Sequence, residues 1–161
     1  MAIKFNIDNS HAVFFPSKLV AGQGGEHIVN LRLKADMDNG AIRSIGAWKA
    51  FDEYEDAAAP QAFAGVIRAK GTGTDDSWYV EVTNAADAVV IDEVEVFTNT
   101  YDPRFTDKHN WYNPKGATVR AYILHKYDIF ELSAEGFDGT PEAGATVTAD
   151  ATTGKLVVDS E

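Results

Sequence analysis

Ile28-Val29-Asn30-Leu31-Arg32-Leu33-Lys34 sets Val29, Leu31 and Leu33 on one side of an extended chain and Asn30, Arg32 and Lys34 on the other. That period of two belongs to a half-buried β-strand. Just beyond it, Asp38-Asn39-Gly40 offers residue types that tolerate positive φ, so a tight hairpin turn and a returning strand through Ile42 and Ile45 are expected.

Working outward, the same alternation opens the chain, with Ile3, Phe5 and Ile7 against Lys4, Asn6 and Asp8. Runs 63–69, 78–83 and 89–98 are rich in β-formers and separated by Gly71-Thr72-Gly73 and 84–87, which predicts a meander. In 46–65 the pattern changes. Trp48, Phe51 and Tyr54 recur every three residues among Asp52, Glu53, Glu55 and Asp56, which predicts a short helix or an irregular excursion ended at Pro60. Segment 101–116, with Pro103 and Pro114, is expected to be a loop. Short runs 119–124, 129–133, 145–148 and 155–158, punctuated by Gly136, Gly139, Gly144 and Gly154, predict a small barrel-like region over 117–161. The expected fold is mainly β: a small antiparallel β-barrel or β-sandwich with at most one or two short helices, in a single domain over 1–161 with an N-terminal arm at 1–20.

The chain has 161 residues, 45% of them hydrophobic and 24% charged, enough to build one core. Its net charge of −11 opposes nucleic acid as a partner, because a polyanion is repelled by the overall field. It has no cysteine, which removes disulfides, thiolate metal sites and cysteine nucleophiles together. No apolar run is long enough for a signal peptide or a bilayer span, so a soluble chain made in a cytoplasm, with no membrane partner, is expected.

Motifs for catalysis or metal binding are weak. Asp36 and Asp38 suggest a calcium loop, but Gly40 falls one place early and Ala47 stands where a bidentate glutamate is needed. Asp52, Glu53, Glu55 and Asp56 read as a solvated charged face. The glycine runs 22–25 and 71–73 lack the lysine and Ser/Thr of a phosphate loop. His11, His27, His109 and His125 lack helical metal-ligand spacing, and no G-x-S-x-G elbow occurs. The expectation is a protein that is not an enzyme and uses no cofactor or metal.

The most distinctive stretch is Tyr101-Asp102-Pro103-Arg104-Phe105-Thr106-Asp107-Lys108-His109-Asn110-Trp111-Tyr112-Asn113-Pro114. Aromatics beside Arg, Asp and Asn suit recognition of a protein or of sugars. The competing reading is that Trp111 and Tyr112 plug the end of a barrel. As partner-binding residues the sequence nominates Ile3, Phe5, Phe14 and Phe15 near the N-terminus, and Tyr101, Arg104, Phe105, Trp111 and Tyr112 in this loop.

Arg120-Ala121-Tyr122-Ile123-Leu124-His125-Lys126-Tyr127-Asp128-Ile129-Phe130-Glu131-Leu132-Ser133, then Gly144-Ala145-Thr146-Val147 and Thr153-Gly154-Lys155-Leu156-Val157-Val158, resemble head structural proteins of tailed bacteriophages, of the capsid decoration or cement type. The resemblance covers roughly the last 45 residues and rests on short strands and glycines, so it transfers fold and role but no catalytic residue. It implies a virion protein on the capsid exterior whose partner is the major capsid protein, with room for a homo-oligomer on the lattice. The alternative is a carbohydrate-binding or host-recognition module, or another β-rich component of a phage head or tail.

Overall fold

The computed structural model describes residues 10–23, 25–73, 76–96 and 101–159. The protein is mainly β, with no helix of seven or more residues among those described. Among the described residues, twelve strands run in chain order: β1 Phe14–Lys18, β2 Ile28–Arg32, β3 Ile42–Ala50, β4 Glu53–Ala57, β5 Ala64–Lys70, β6 Ser77–Asn84, β7 Ala88–Ile91, β8 Thr118–Ile123, β9 Ile129–Ser133, β10 Phe137–Asp138, β11 Thr146–Ala149 and β12 Leu156–Val158. Five of them close a barrel in the order β2-β4-β3-β7-β8, and the other seven form a sheet in the order β1-β9-β6-β5-β11-β12-β10.

Side-chain alternation explains the two layers. In β8, Val119 and Ala121 fill the barrel with Val29, Leu31 and Leu33 of the opening stretch and with Val89 and Ile91. Tyr122 and Leu124 instead join a second core against the sheet, built from Phe14, Ile67, Val80, Val82, Phe130, Leu132, Val147 and Leu156. Strand β7 is buried on both faces: Val89 and Ile91 enter the barrel while Ala88 and Val90 face the sheet. Its sequence is accordingly a continuous apolar run instead of an alternation. The barrel is narrow enough for side chains alone to fill it. Burying Leu31, fully inaccessible here, contributes about 2–3 kcal/mol.

The structure corrects several topological expectations. β2 and β3 do not form a hairpin across Asp38-Asn39-Gly40, because β4 lies between them in the barrel, parallel to β2 and antiparallel to β3. Gly40 does turn with positive φ, but the Asn39 side chain is buried and used for tethering. The expected helix or excursion at 46–65 is the β3–β4 hairpin, turning at Phe51 and Asp52, with Asp52 at φ 59°. Register breaks between Ile45 and Trp48 and between Trp48 and Ala50 displace the aromatics from strict alternation, which is why their spacing mimics a helix.

β5 and β6 pair as expected, whereas β7 leaves their sheet for the barrel. The described residues of 117–161 do not make a barrel of their own. Only β8 belongs to it, and β9 to β12, some just two or three residues long, extend the open sheet. Strands this short cannot satisfy their edges among themselves, so they borrow partners from β1, β5 and β6.

Buried polar side chains bind the layers. Asp56, fully buried, accepts from Arg43 Nε at 2.5 Å and from Arg43 Nη2 at 3.1 Å. Arg43 Nη1 also donates to the carbonyls of Ala151 and Thr152, fastening the last turn of the chain to the barrel.

Candidate interaction surface

The N-terminal nominees separate at once. Ile3 and Phe5 lie outside the described residues. Phe14 is core, packed on Phe130 with ring centroids 5.5 Å apart, so it is not available as a contact. This corrects its nomination, and the reason is register: Phe14 opposes Leu132 on the sheet face that meets the barrel. Phe15, one residue on, takes the opposite face, half-buried, with Lys108 Nζ 5.5 Å from its ring centre.

The aromatic loop divides the same way. Tyr101 is 99% exposed and Arg104 is exposed, the latter gripping Asp102 through Nη2 at 2.6 Å and Nε at 3.1 Å. That hydrogen-bonded guanidinium holds the Asp102 carboxyl below its usual range. Two short 3-10 turns, Pro103–Phe105 and Lys108–Asn110, are capped by the side chains of Asp102 and Asp107. Phe105 is half-buried. Trp111 is 3% exposed and so faces inward, and Tyr112 stacks half-buried on His11 at 4.9 Å.

The loop is held by amides. Asn113 and Met37 exchange backbone hydrogen bonds, and Asn113 Nδ2 donates to Asn39 Oδ1 at 2.9 Å. Asn39 in turn donates to the Glu93 carbonyl and accepts from the Glu93 N–H. Asn110 Nδ2 donates to the Arg104 carbonyl. At the N-terminal side, Asp38 takes His11 Nδ1 at 2.6 Å and the Ala12 N–H at 3.0 Å, and the His11 N–H donates to the His109 carbonyl. Apart from the Asn110–Arg104 bond inside the loop, these tethers join it to 37–39, next to the barrel strands, and to the segment leading into β1.

The strongest feature escaped sequence reading. On the β3–β4 hairpin, Phe51 is 95% and Trp48 66% exposed, and Ile45 at its base is also exposed. The available signal was an aromatic pair flanking a turn, but the three-residue spacing disguised it. Charges on this hairpin are paired: Lys49 with Glu55 at 2.8 Å within it, and, across to β2 and the residues after it, Arg32 with Glu53 at 2.8 Å and Lys34 with Glu55 at 3.7 Å. Hydrogen bonding and attraction from Lys49, assisted by Lys34, keep the Glu55 carboxyl below its ordinary value.

The remaining ionisable cluster sits after β7. Asp92 is pushed up to about 6 chiefly by burial, with Glu95 and Glu93 adding to the rise and Arg120 opposing it. Arg120 Nε donates to the Asp92 carbonyl and the Arg120 N–H to Glu93.

A depression of about 240 Å³ lies beside Asp36, Asp38, Met37, Gly136 and Lys155. Its carboxylates are occupied, Asp38 as above and Asp36 by the Lys115 N–H at 2.8 Å. Among the described residues, no group of three or more His, Asp or Glu side chains is placed to hold a metal ion, and no helix is long and apolar enough to cross a membrane. Compared with known proteins, the chain matches no family model, no curated protein and no solved structure.

Proposed function

We propose that this protein is a non-enzymatic virion component that binds the outside of a phage capsid, on the major capsid protein, and stabilises the shell. The observation that supports it best is the placement of large aromatics. A barrel and sheet locked by the buried Arg43–Asp56 pair and by amides hold Phe51, Trp48 and Tyr101 outward, where solvent gains nothing from them. Trp, Tyr and Arg are the side chains that anchor protein interfaces. The role comes from the resemblance of 120–158 to phage head proteins.

Stabilisation needs no chemistry. A protein that binds the assembled lattice better than its free subunits shifts the equilibrium toward the particle by mass action, and many modest contacts add up across a shell. The net charge of −11 then selects a partner surface with basic character. The carbohydrate reading gains no support, since Trp111, the best stacking platform in the loop, is buried.

The test is co-sedimentation with purified mature heads of the phage that encodes the protein, alongside mass spectrometry of intact virions. Binding that saturates and raises the temperature of shell disruption is expected. Protein left in the supernatant and missing from virions refutes the proposal.

A further inference from the structure

We infer that Asn39-Gly40 is a site of covalent self-modification that folding closes: a chain left unfolded converts the Asn39 amide to a carboxylate and then cannot rebuild the Asn39–Asn113 clamp on loop 101–116. No other asparagine in the chain precedes glycine. Glycine has no Cβ to shield its backbone nitrogen, so that nitrogen can reach the amide carbon of the preceding side chain. The Gly40 nitrogen, giving its proton to solvent base, bonds to Asn39 Cγ, and the Cγ–Nδ2 bond breaks with release of ammonia. Water then opens the cyclic imide at either carbonyl and leaves aspartate or isoaspartate at position 39. One water is consumed, one ammonia leaves, and nothing is oxidised or reduced.

The folded chain occupies both reacting groups. The Gly40 N–H donates to the Ile91 carbonyl at 2.8 Å, which commits the nitrogen to β7. Asn39 is 1% exposed, and its amide is held at both ends. Nδ2 donates to the Glu93 carbonyl at 2.9 Å and to Glu95 Oε1 at 3.4 Å, while Oδ1 accepts from the Glu93 N–H at 3.1 Å and from Asn113 Nδ2 at 2.9 Å. Attack needs the side chain to leave these partners while Gly40 leaves Ile91, so the reaction waits for local opening.

The fold itself dictates the vulnerable pair. The Asp38 carbonyl accepts from the Ala41 N–H at 3.3 Å, and Gly40, third in that turn, takes φ 88°, where glycine is favoured. A Cβ there would also run into the Leu132 side chain, which is fully buried. The amide is equally required, because position 39 both donates to and accepts from the Glu93 backbone. A carboxylate keeps the two donors but sets its second oxygen against the Glu93 carbonyl and the Glu95 carboxylate, a costly arrangement for a buried charge. Isoaspartate adds a methylene to the main chain just before Gly40 and so displaces its N–H from Ile91. The gate is one-way: a chain that folds keeps its amide, and one that stays unfolded loses the means to fold. It requires no capsid, so it stands or falls separately from the function proposed above.

The experiment holds the full chain at mildly alkaline pH in native buffer and in guanidinium chloride, and follows the tryptic peptide 35–43, whose one asparagine is Asn39, by mass spectrometry. Without structure, Asn39 should be modified ahead of the other asparagines; in native buffer it should react at least about a hundredfold more slowly, as for a reaction confined to the open form. Gly40→Ala, compared in denaturant where folding plays no part, should slow the reaction severalfold. When denaturant is removed, unmodified chains should regain the native circular dichroism spectrum and modified ones should not. Asn39→Asp should show the same defect without incubation. Equal rates in native buffer and denaturant overturn the inference. So does a modified chain or an Asn39→Asp variant that refolds to wild-type stability, or a Gly40→Ala chain that reacts as fast as wild type.

Discussion

The β3–β4 hairpin and the loop 101–116 use the same kinds of residue, aromatics set among carboxylates, and reach opposite ends. The loop turns Trp111 inward because the amides beside it follow it in, Asn110 bonding the Arg104 carbonyl within the loop and Asn113 bonding Asn39. The hairpin is fixed by strand pairing instead, β4 lying between β3 and β2, and Trp48 and Phe51 stay exposed near its turn. An aromatic residue is buried where the surrounding polar groups can follow it in, and it stays outside where they are already matched elsewhere.

The sharpest way to break the comparison is at the hairpin's root. Arg43→Ala leaves Asp56 charged, buried and unpaired, and should cost about 3–5 kcal/mol in urea unfolding, whereas Arg43→Met combined with Asp56→Leu should recover most of that loss. Trp111→Ala should cost a similar amount, about 3–5 kcal/mol, if the loop aromatic is core; a cost under about 1 kcal/mol in the same assay would return it to the surface class. Next comes the amide clamp. Asn39→Ala strands the Glu93 backbone groups and Asn113 Nδ2, with an expected loss of about 1–3 kcal/mol and faster amide exchange in 101–116.

A smaller effect should appear with pH. Asp92 has its ordinary value of 3.8 unfolded and about 6 folded. Between these, the folded state binds more protons than the unfolded, so stability falls as pH rises from about 4 to about 6 and then levels off. The amplitude, allowing for solvent screening, is on the order of 1–2 kcal/mol, and Asp92→Asn should flatten that part of the stability profile. The smallest change belongs to the hairpin tip: Trp48→Ser and Phe51→Ser should each move stability by no more than about 0.5 kcal/mol. A loss of several kcal/mol there would mean the hairpin packs on the body after all.

Much of the layer structure was legible. The alternation of Val29, Leu31 and Leu33 marks a strand whose inner face fills the barrel, and the runs at 119–124 and 129–133 fall on β8 and β9. Strand partners were not legible, because pairing depends on which edges remain unsatisfied across the whole chain. Asp38-Asn39-Gly40 has the composition of a hairpin turn, yet the neighbour β2 acquires is β4, through a parallel pairing that no local signal encodes. At the candidate surface the nominations at Tyr101 and Arg104 landed on exposed positions, while those at Phe14 and Trp111 landed in the interior. Residue type identifies an anchor, but register and buried amides decide which way it faces.

The Ser133 hydroxyl accepts from the Val13 N–H, 120 positions away, and Arg43 holds the Thr152 carbonyl across 109. The sheet cannot be finished until strands from both ends of the described chain meet. During synthesis β1 has no partner until β9 at 129–133 has emerged, and β2, which meets β4 early, lacks its other neighbour until β8 at 118–123 has followed. Topologies dominated by such distant pairings fold slowly, in milliseconds to seconds. Removing the turn and strand at 150–158 should therefore do more than fray an end: it takes β12 from between β10 and β11 and strips Arg43 of two carbonyl partners, and should send the product to aggregates or proteases instead of to a shortened but folded protein.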